Sequence, residues 1–539
     1  MHLKTVWSHP KLLKKGVGRA IGVGRVCLFV CLLGSSGGAG AARAQSSATT
    51  PPLYDVQYRS AEARYLVGRY PHFDLIYQEG TEATAFRIAA HLEAHRAATD
   101  SLVGRTGAPF RMPVVVNGYN DRANGIVSPL PFRQEIEAPG IKSDALTTYF
   151  SSWPAAVAPH ELVHAAHAEV HGGVGVGGLA RLLAPDWSRI VNLTAPRGLT
   201  EGAAVYYESR LEPRAGRLNT PLATMAFRAA MLSDDPWSLA QMLEAPAYTR
   251  PFDRHYLGGG QAFAHLAERE EAPQPRFFHR ATRFHHRLPF LGFGAALWYG
   301  TGARPGALDA AMQRALIERE RARHEARRPF TEVTVLGSAS GLVHRRPHWI
   351  DDTTLVVHAS GYASRPGFYA VDARSGRRRL LSPQAITEAY AVSVSRDTSA
   401  LYFSQYVPDR LVPGRWRAEA LRLDLRDGTA RPVSRGGRVH APVEAPGGTV
   451  WALRNDGAFN QWAAVHPDGT ARPLTALGGV RFETVAPSPS GDTLAVVLNV
   501  AGRQRLYRAA VRDDGRPVLT PWLAFDGAAI YDVTWGPRG

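Results

Sequence analysis

One stretch of the chain has residue types that can do chemistry, at a spacing that lets them act together. It is His160-Glu161-Leu162-Val163-His164, inside the run Ala158 to Val170 (APHELVHAAHAEV). On a helix, positions i and i+4 leave the same face one turn apart. Two imidazoles so placed can share one tetrahedral Zn²⁺, with the acid between them beside the open coordination position. In a chain of 539 residues with 20 histidines, a chance match to this pattern is on the order of a few per cent. Both cysteines, Cys27 and Cys31, lie in the N-terminal run, so any metal held further along must be held by His and carboxylates.

A third ligand comes from the segment Pro196 to Glu208 (PRGLTEGAAVYYE), which begins a second helix after a Pro/Gly loop. Here the chain resembles the gluzincin zinc peptidases, the thermolysin-like and aminopeptidase-like clan. Their third ligand is a Glu on the next helix, in a W-x-x-E-G-x-A-x-Y context. The resemblance covers about residues 70 to 310 and is strongest with zincin-like domains fused to propellers. It implies Glu201 as third ligand, one Zn²⁺ per chain, a peptide or protein substrate, and Glu161 as general base. Zinc would bring the pKa of its water to about 7. Glu161 would take that water's proton, and later give it to the leaving amine. The family also offers an oxyanion donor, a Tyr or His from a later helix. The segment Arg254-His255-Tyr256-Leu257-Gly258-Gly259 fits that place, with Tyr256 the candidate and His255 the substitute; a core-packing tyrosine is the ordinary alternative.

Other residues near the motif have plainer readings. His167, at i+7 from His160, reads as a surface or supporting histidine. Glu208, at i+7 from Glu201, either orients a ligand histidine or faces solvent, and solvent is the ordinary reading. Gly173 to Gly178 contains G-x-G-x-x-G, but after a helix rather than a strand, so it reads as a loop and not a dinucleotide site. Gly337-Ser338-Ala339-Ser340-Gly341 has its serine at the wrong position for a nucleophile elbow.

The elements that must position these groups are of mixed α and β type. Phe73 to Tyr77 alternates like a strand, and Pro113 to Val116 reads as another, ending in the turn-forming Asn117-Gly118 and the Asn120 to Gly125 loop. Glu82 to Leu102 is an alanine-rich helix. Several more helices run from Trp153 to about Arg328, the last a charged one that suits a spacer. Because Pro159 is comfortable only in a first turn, the His160 helix is expected to start near Ala158, with Trp153 to Val157 separate.

From Thr331 short β runs punctuated by Gly, Pro and Asp take over. The segments at Asp352, Asp397, Gly447 and Gly491 repeat, with anchors Leu355, Leu401, Val450 and Leu494. Anchor spacings in the forties are those of propeller blades. The repeat resembles TolB-like β-propellers, in which a P-x-G-x-x-L strand precedes a D-x-x-x-G turn. A fifth copy begins at Val533-Thr534-Trp535 and stops at Gly539. The expectation is an incomplete propeller of about four blades in an open or imperfectly closed arc, unless a strand near Val333-Thr334-Val335 completes the last blade.

The first residues read as an export signal. Lys4, Lys11, Lys14, Lys15, Arg19 and Arg25 precede the apolar Val26 to Leu33 and the small-residue stretch ending Ala42-Arg43-Ala44. Val30 makes a poor lipobox. The expected organisation is a signal peptide over 1–44, a Ser/Thr/Pro-rich leader over 45–53, a zincin-like metallopeptidase domain over 54–328 and a partial propeller over 329–539. The fold class is thus multidomain, α+β followed by all-β, exported to the periplasm or beyond, with no stretch apolar enough to span a membrane. Removing the seven cations of the first 44 residues lowers the net charge from +16 to about +9. The remaining arginines are scattered among acids, as in Glu318 to Arg328, which excludes a nucleic-acid partner. Two function classes remain: a secreted zinc peptidase whose propeller restricts access or holds a protein partner, and a non-catalytic binding protein on the same scaffold that recognises protein or polysaccharide. The intact ligand set favours the enzyme.

Overall fold

The structure is a computed structural model that describes residues 59, 61–107, 109–139, 152–211, 216–244, 253–270, 274–336, 342–361, 365–387, 392–412, 414–457, 459–475, 477–501, 503–512, 516–524, 530 and 533–536. The export signal, the leader and the Gly337–Gly341 segment lie outside the described residues.

The N-terminal half opens with a five-stranded sheet of order β1-β2-β3-β5-β4. Its strands are β1 (Tyr65–Arg69), β2 (Phe73–Gln78), β3 (Met112–Asn117), β4 (Gly125–Pro129) and β5 (Phe132–Glu137). Strands β2, β3 and β5 run parallel, while β1 and β4 pair antiparallel at the two edges. Helix α1 (Glu82–Leu102) makes the crossover from β2 to β3. Period-two alternation points Phe73, Leu75, Val114, Val116 and Ile136 to one face, where they share a core with Ile88, Ala89 and Leu92 of α1.

Among the described residues ten further α-helices follow: α2 (Trp153–Ala168), α3 (Val176–Leu183), α4 (Pro185–Leu193), α5 (Arg197–Leu211), α6 (Pro221–Met231), α7 (Leu239–Leu243), α8 (Arg254–Glu268), α9 (Arg276–Arg287), α10 (Phe293–Thr301) and α11 (Pro305–Glu325). Two of these correct the sequence expectations. Helix α2 is continuous from Trp153, with Pro159 inside it. An interior proline costs roughly 3 kcal/mol; here Trp153, Ala156 and Val157 are buried in the core, and the indole Nε1 donates to Glu137 O at 2.7 Å, so the first turns are held despite the lost hydrogen bond. Helix α11 is not a free spacer, because Leu308, Met312 and Leu316 bury one face of it in the main core.

Helices α5 and α8 approach to backbone contact. A Cβ on Gly202 would lie 2.5 Å from Gly259 O, and one on Gly259 would lie 2.0 Å from Gly198 O. The Gly after Glu201 therefore serves packing: it lets the helix that carries the acid close on its neighbour.

The C-terminal half holds four successive four-stranded antiparallel sheets, which makes it propeller-like. Blade 1 is β6 (Leu342–Trp349), β7 (Thr354–Gly361), β8 (Gly367–Asp372) and β9 (Arg378–Ser382). Blade 2 is β10 (Ser393–Val394), β11 (Ala400–Pro408), β12 (Trp416–Asp424) and β13 (Ala430–Pro432). Blade 3 is β14 (Val439–Glu444), β15 (Val450–Asp456), β16 (Phe459–Val465) and β17 (Ala471–Pro473). Blade 4 is β18 (Val480–Pro487), β19 (Thr493–Val500), β20 (Arg503–Val511) and β21 (Pro517–Ala524). The four repeat anchors fall on the second strand of each sheet. The D-x-x-x-G turns close as the pattern demands: Gly376 and Gly428 take φ of 68° and 73°, and their N–H groups bond back to Asp372 and Asp424.

Buried apolar clusters join blade 1 to 2, 2 to 3 and 3 to 4. Among the described residues none joins blade 4 to blade 1. Instead Ile530, Val533 and Trp535, from the start of the fifth copy, cover blade 4, with Trp535 Nε1 donating to Ala486 O at 2.8 Å. Residues 331–336 form no strand, and Val333 and Val335 are exposed, so they do not complete that blade.

The two halves meet at the loop after β3. Asp121 is fully buried and accepts from Arg438 (Nη2, 2.6 Å), Asn455 Nδ2 (2.9 Å) and the Ala418 N–H (2.9 Å), while its own N–H donates to Trp416 O. Arg438 also reaches Gly118 O, and Arg415 reaches Tyr119 O.

Two stability predictions come from this architecture. Gly259→Ala forces the α5–α8 contact apart, and is expected to cost about 1–3 kcal/mol in denaturant titrations. Burial also depresses the pKa of His167 to about 3, His286 to about 4 and His440 to about 3, from an unfolded 6.5. The unfolded chain then binds protons that the native state refuses, so this stabilisation is present above pH 6.5 and is lost as pH falls below it. The melting temperature should drop across that window, less steeply for His440→Leu. An unchanged slope in that variant would remove His440 from the account.

Candidate metal centre

The site is assembled between α2 and α5. Helix α2 is fixed at its start by the Trp153 indole. At its other end the Asn192 amide, from α4, donates to the carbonyls of His167, Ala168 and Val170 at 3.2, 3.0 and 2.9 Å. That side chain meets carbonyls that a helix end leaves without partners. On α5, Leu199, Ala203 and Ala204 pack into the core and turn Glu201 and Glu208, two turns apart, toward α2.

His160, His164 and Glu201 converge. The two Nε2 atoms are 3.3 Å apart, and Glu201 Oε2 lies 3.0 Å from His164 Nε2 and 3.4 Å from His160 Nε2. Two nitrogens bound at 2.0–2.1 Å to one tetrahedral ion stand about 3.3 Å apart. All three separations are close to that value. The donor set, two imidazoles and one carboxylate, therefore fits a single small divalent cation with a position left open.

The surroundings favour positive charge at this point. Burial opposes protonation of His160, but its hydrogen bonds to Glu201 and Glu208 prevail and raise its pKa to about 9. Burial likewise opposes ionising Glu201, yet the two histidines hold it well below the ordinary carboxylate range. Three carboxylates, those of Glu161, Glu201 and Glu208, face two guanidinium groups here, those of Arg217 and of Arg197, whose Nε is 3.5 Å from Glu201 Oε1.

Glu208 corrects the expectation of a solvent-facing acid. It is 1% exposed, and its Oε2 accepts from His160 Nδ1 at 2.9 Å. Arg217 grips both of its oxygens, Nε to Oε1 at 2.7 Å and Nη2 to Oε2 at 2.8 Å. Burial works against the ionised acid, but Arg217 outweighs it and draws the pKa to about 2. Glu208 thus fixes the His160 tautomer so that Nε2 points into the site. His167 is buried against Phe278 (5.5 Å between ring centroids), and is neither a surface group nor part of the cluster.

Glu161 is also buried, and burial raises its pKa. It lies under the first residue of the edge strand β4, where a Cβ on Gly125 would fall 2.9 Å from Glu161 Oε1 and 2.4 Å from Val157 Cγ2. Tyr256, on α8, is half-buried with its ring 6.5 Å from that of His160, and the Arg217 guanidinium lies 4.8 Å from its ring centre. Burial pushes its phenol well above the ordinary range, so it keeps its proton. His255 is buried with its ring against Tyr256. Gly177, part of the G-x-G-x-x-G run, sits in α3 against the His286 ring. Arg197, Arg217 and Gly125 are site residues that no pattern in the sequence singles out.

No family model matches this chain, and no curated protein matches it. Among solved structures it is similar to TolB from Acinetobacter baumannii at 18% identity, over 34% of this chain and 45% of that one, with a TM-score of 0.27. It is similar to an oligogalacturonate lyase in complex with manganese at 16% identity, over 35% and 56%, with a TM-score of 0.28. For a puromycin hydrolase the figures are 19%, 39%, 34% and 0.29. The chain spans about half the length of the first two. At these scores neither activity nor ligand carries over.

The Glu208–Arg217 pair yields a prediction of its own. Glu208→Ala leaves Arg217, 5% exposed, as an uncompensated buried charge, and is expected to cost about 3–5 kcal/mol in chemical denaturation. Adding Arg217→Met should recover much of that loss; a double variant no more stable than the single one would argue against the pairing.

Proposed function

We propose that this protein is a zinc-dependent peptidase. In this reading His160, His164 and Glu201 hold the metal, Glu161 is the general base and Tyr256 donates to the developing oxyanion. The observation that carries it is the near-equal spacing of three ligand atoms, 3.0, 3.3 and 3.4 Å, with Glu161 buried beside them. Zinc, when bound, polarises a carbonyl and acidifies water.

The chain's own residues would do the rest. Glu161, with its pKa raised by burial, accepts a proton from the attacking water and returns it to the leaving amine. Tyr256, still protonated, donates a hydrogen bond to the oxygen that gains charge. Edge strand β4 has β5 as its partner among the described residues. An extended peptide added along its outer edge would run past Glu161, and a side chain at Gly125 would crowd it. The reading includes an export signal over 1–44, a peptidase domain over 54–328 and a propeller over 329–539 that guards access or holds a protein partner.

The purified protein should contain close to one zinc per chain, and His160→Ala should lose it. Glu161→Gln should keep the zinc but cleave a general peptide library about 10²–10⁴-fold more slowly, since the amide cannot accept the proton. Undiminished cleavage by that variant would falsify the mechanism; full zinc without cleavage by the parent would leave a binding protein.

A further inference from the structure

Around α9 lies a surface that this chemistry does not use. Several segments dock on that one helix. Arg287 Nε donates to Gly172 O, and a Cβ on Gly177 would meet the His286 ring at 2.2 Å. Ser188 Oγ, on α4, lies 2.9 Å from His286 Nε2, and Tyr299 of α10 stacks on Phe284 at 5.0 Å. Directly after Arg287 comes the single turn Pro289–Leu291.

What these segments present to solvent is apolar. Val174, Leu182, Leu183 and Phe290 are 92, 83, 74 and 72% exposed, and Leu179 and Leu291 stand more than half exposed beside them. Such side chains, on or just before the two-turn helix α3 and on the single turn Pro289–Leu291, project rather than line a groove. Trp187 and Trp298, half exposed, flank them. Arginines predominate among the charges around them. From Arg276 to Gly306 there are five arginines and no Asp or Glu, and from Val170 to Pro185 the one charged side chain is Arg181. Arg181, Arg276, Arg280, Arg287 and Arg304 are exposed. The acids bounding that second segment, Glu169 and Asp186, are both held by Arg189.

We propose that this face docks on a lipid bilayer surface carrying anionic headgroups. Apolar tips of this size enter the boundary between headgroups and acyl chains. Tryptophan is at home at that level, and arginine reaches anionic headgroups while its stem stays among apolar groups. A second copy of the chain is the poorer occupant, because a two-fold contact lays the same patch on itself and would bring the two arginine rims together.

The test is cosedimentation of the full exported chain with vesicles of phosphatidylcholine alone and of phosphatidylcholine with phosphatidylglycerol. Binding is expected to the second kind only, and should weaken as salt screens the arginines. Leu182→Asp should weaken it at least about tenfold, and Arg181→Glu should weaken it too, both with unchanged near-UV circular dichroism and thermal transition. No binding to phosphatidylglycerol vesicles, or undiminished binding by Leu182→Asp, would overturn the proposal. So would concentration-dependent dimers abolished by Leu182→Asp, which would make a second copy the occupant.

Discussion

The contact on which the N-terminal half depends is the burial of a polar cluster between α2 and α5. Two imidazoles, three carboxylates and a guanidinium are taken out of water together, and each must find a partner or carry a penalty of several kcal/mol. Glu208 is the pivot. It satisfies Arg217 with both oxygens and His160 with one of them, so a single carboxylate settles a buried charge and the aim of a ring. On its far side α5 closes on α8 to backbone contact, where a Cβ on Gly202 or Gly259 would collide with the neighbour's carbonyl. The glycine-rich packing and the polar cluster thus occupy two faces of one helix.

A second buried charge, Asp121, ties the sheet to the propeller-like half. It meets a guanidinium, an amide and a backbone N–H, none of them near it in sequence. Buried ion pairs add little net stability against an apolar alternative, but they tolerate few wrong arrangements. Asp121 therefore specifies how blades 2 and 3 seat on the loop. That loop leads within four residues to Gly125, which rests on Glu161. The position of the proposed base is thus bounded on one side by its own helix and on the other by a strand whose approach is set at the junction.

How much of this could be read in the sequence depends on the range of the interaction. The i, i+4 histidines, the α1 helix at Glu82–Leu102 and the second strand of every blade are local patterns, and all stand where the periodicity put them. Glu201 and Tyr256 lie beside the histidines, but their selection rested on a family resemblance rather than on spacing. Arg217 was invisible because no periodicity links it to Glu208 across the intervening loop. Asp121 falls in the Asn120 to Gly125 loop with nothing in the local pattern to mark it; its partner Arg438 is 317 positions away. Strand β5 shows no strand signal because the acids of its polar face, Glu135 and Glu137, are buried by other parts of the fold, which its own alternation does not mark.

Pro159 shows the limit of a local rule. Taken alone, the proline argues for a helix that begins near Ala158, two residues before His160. In the fold the helix begins five residues earlier, at Trp153, because the indole bonds to the end of β5 and the apolar residues after it fill the core between sheet and helices. Those tertiary contacts exceed the penalty of one missing hydrogen bond. They also give His160 and His164 a helix fixed at both ends, at Trp153 and by Asn192. A ligand pair on a helix that began at Ala158 would sit in a fraying first turn. Held in the middle of α2, the two rings keep the spacing that one small cation requires.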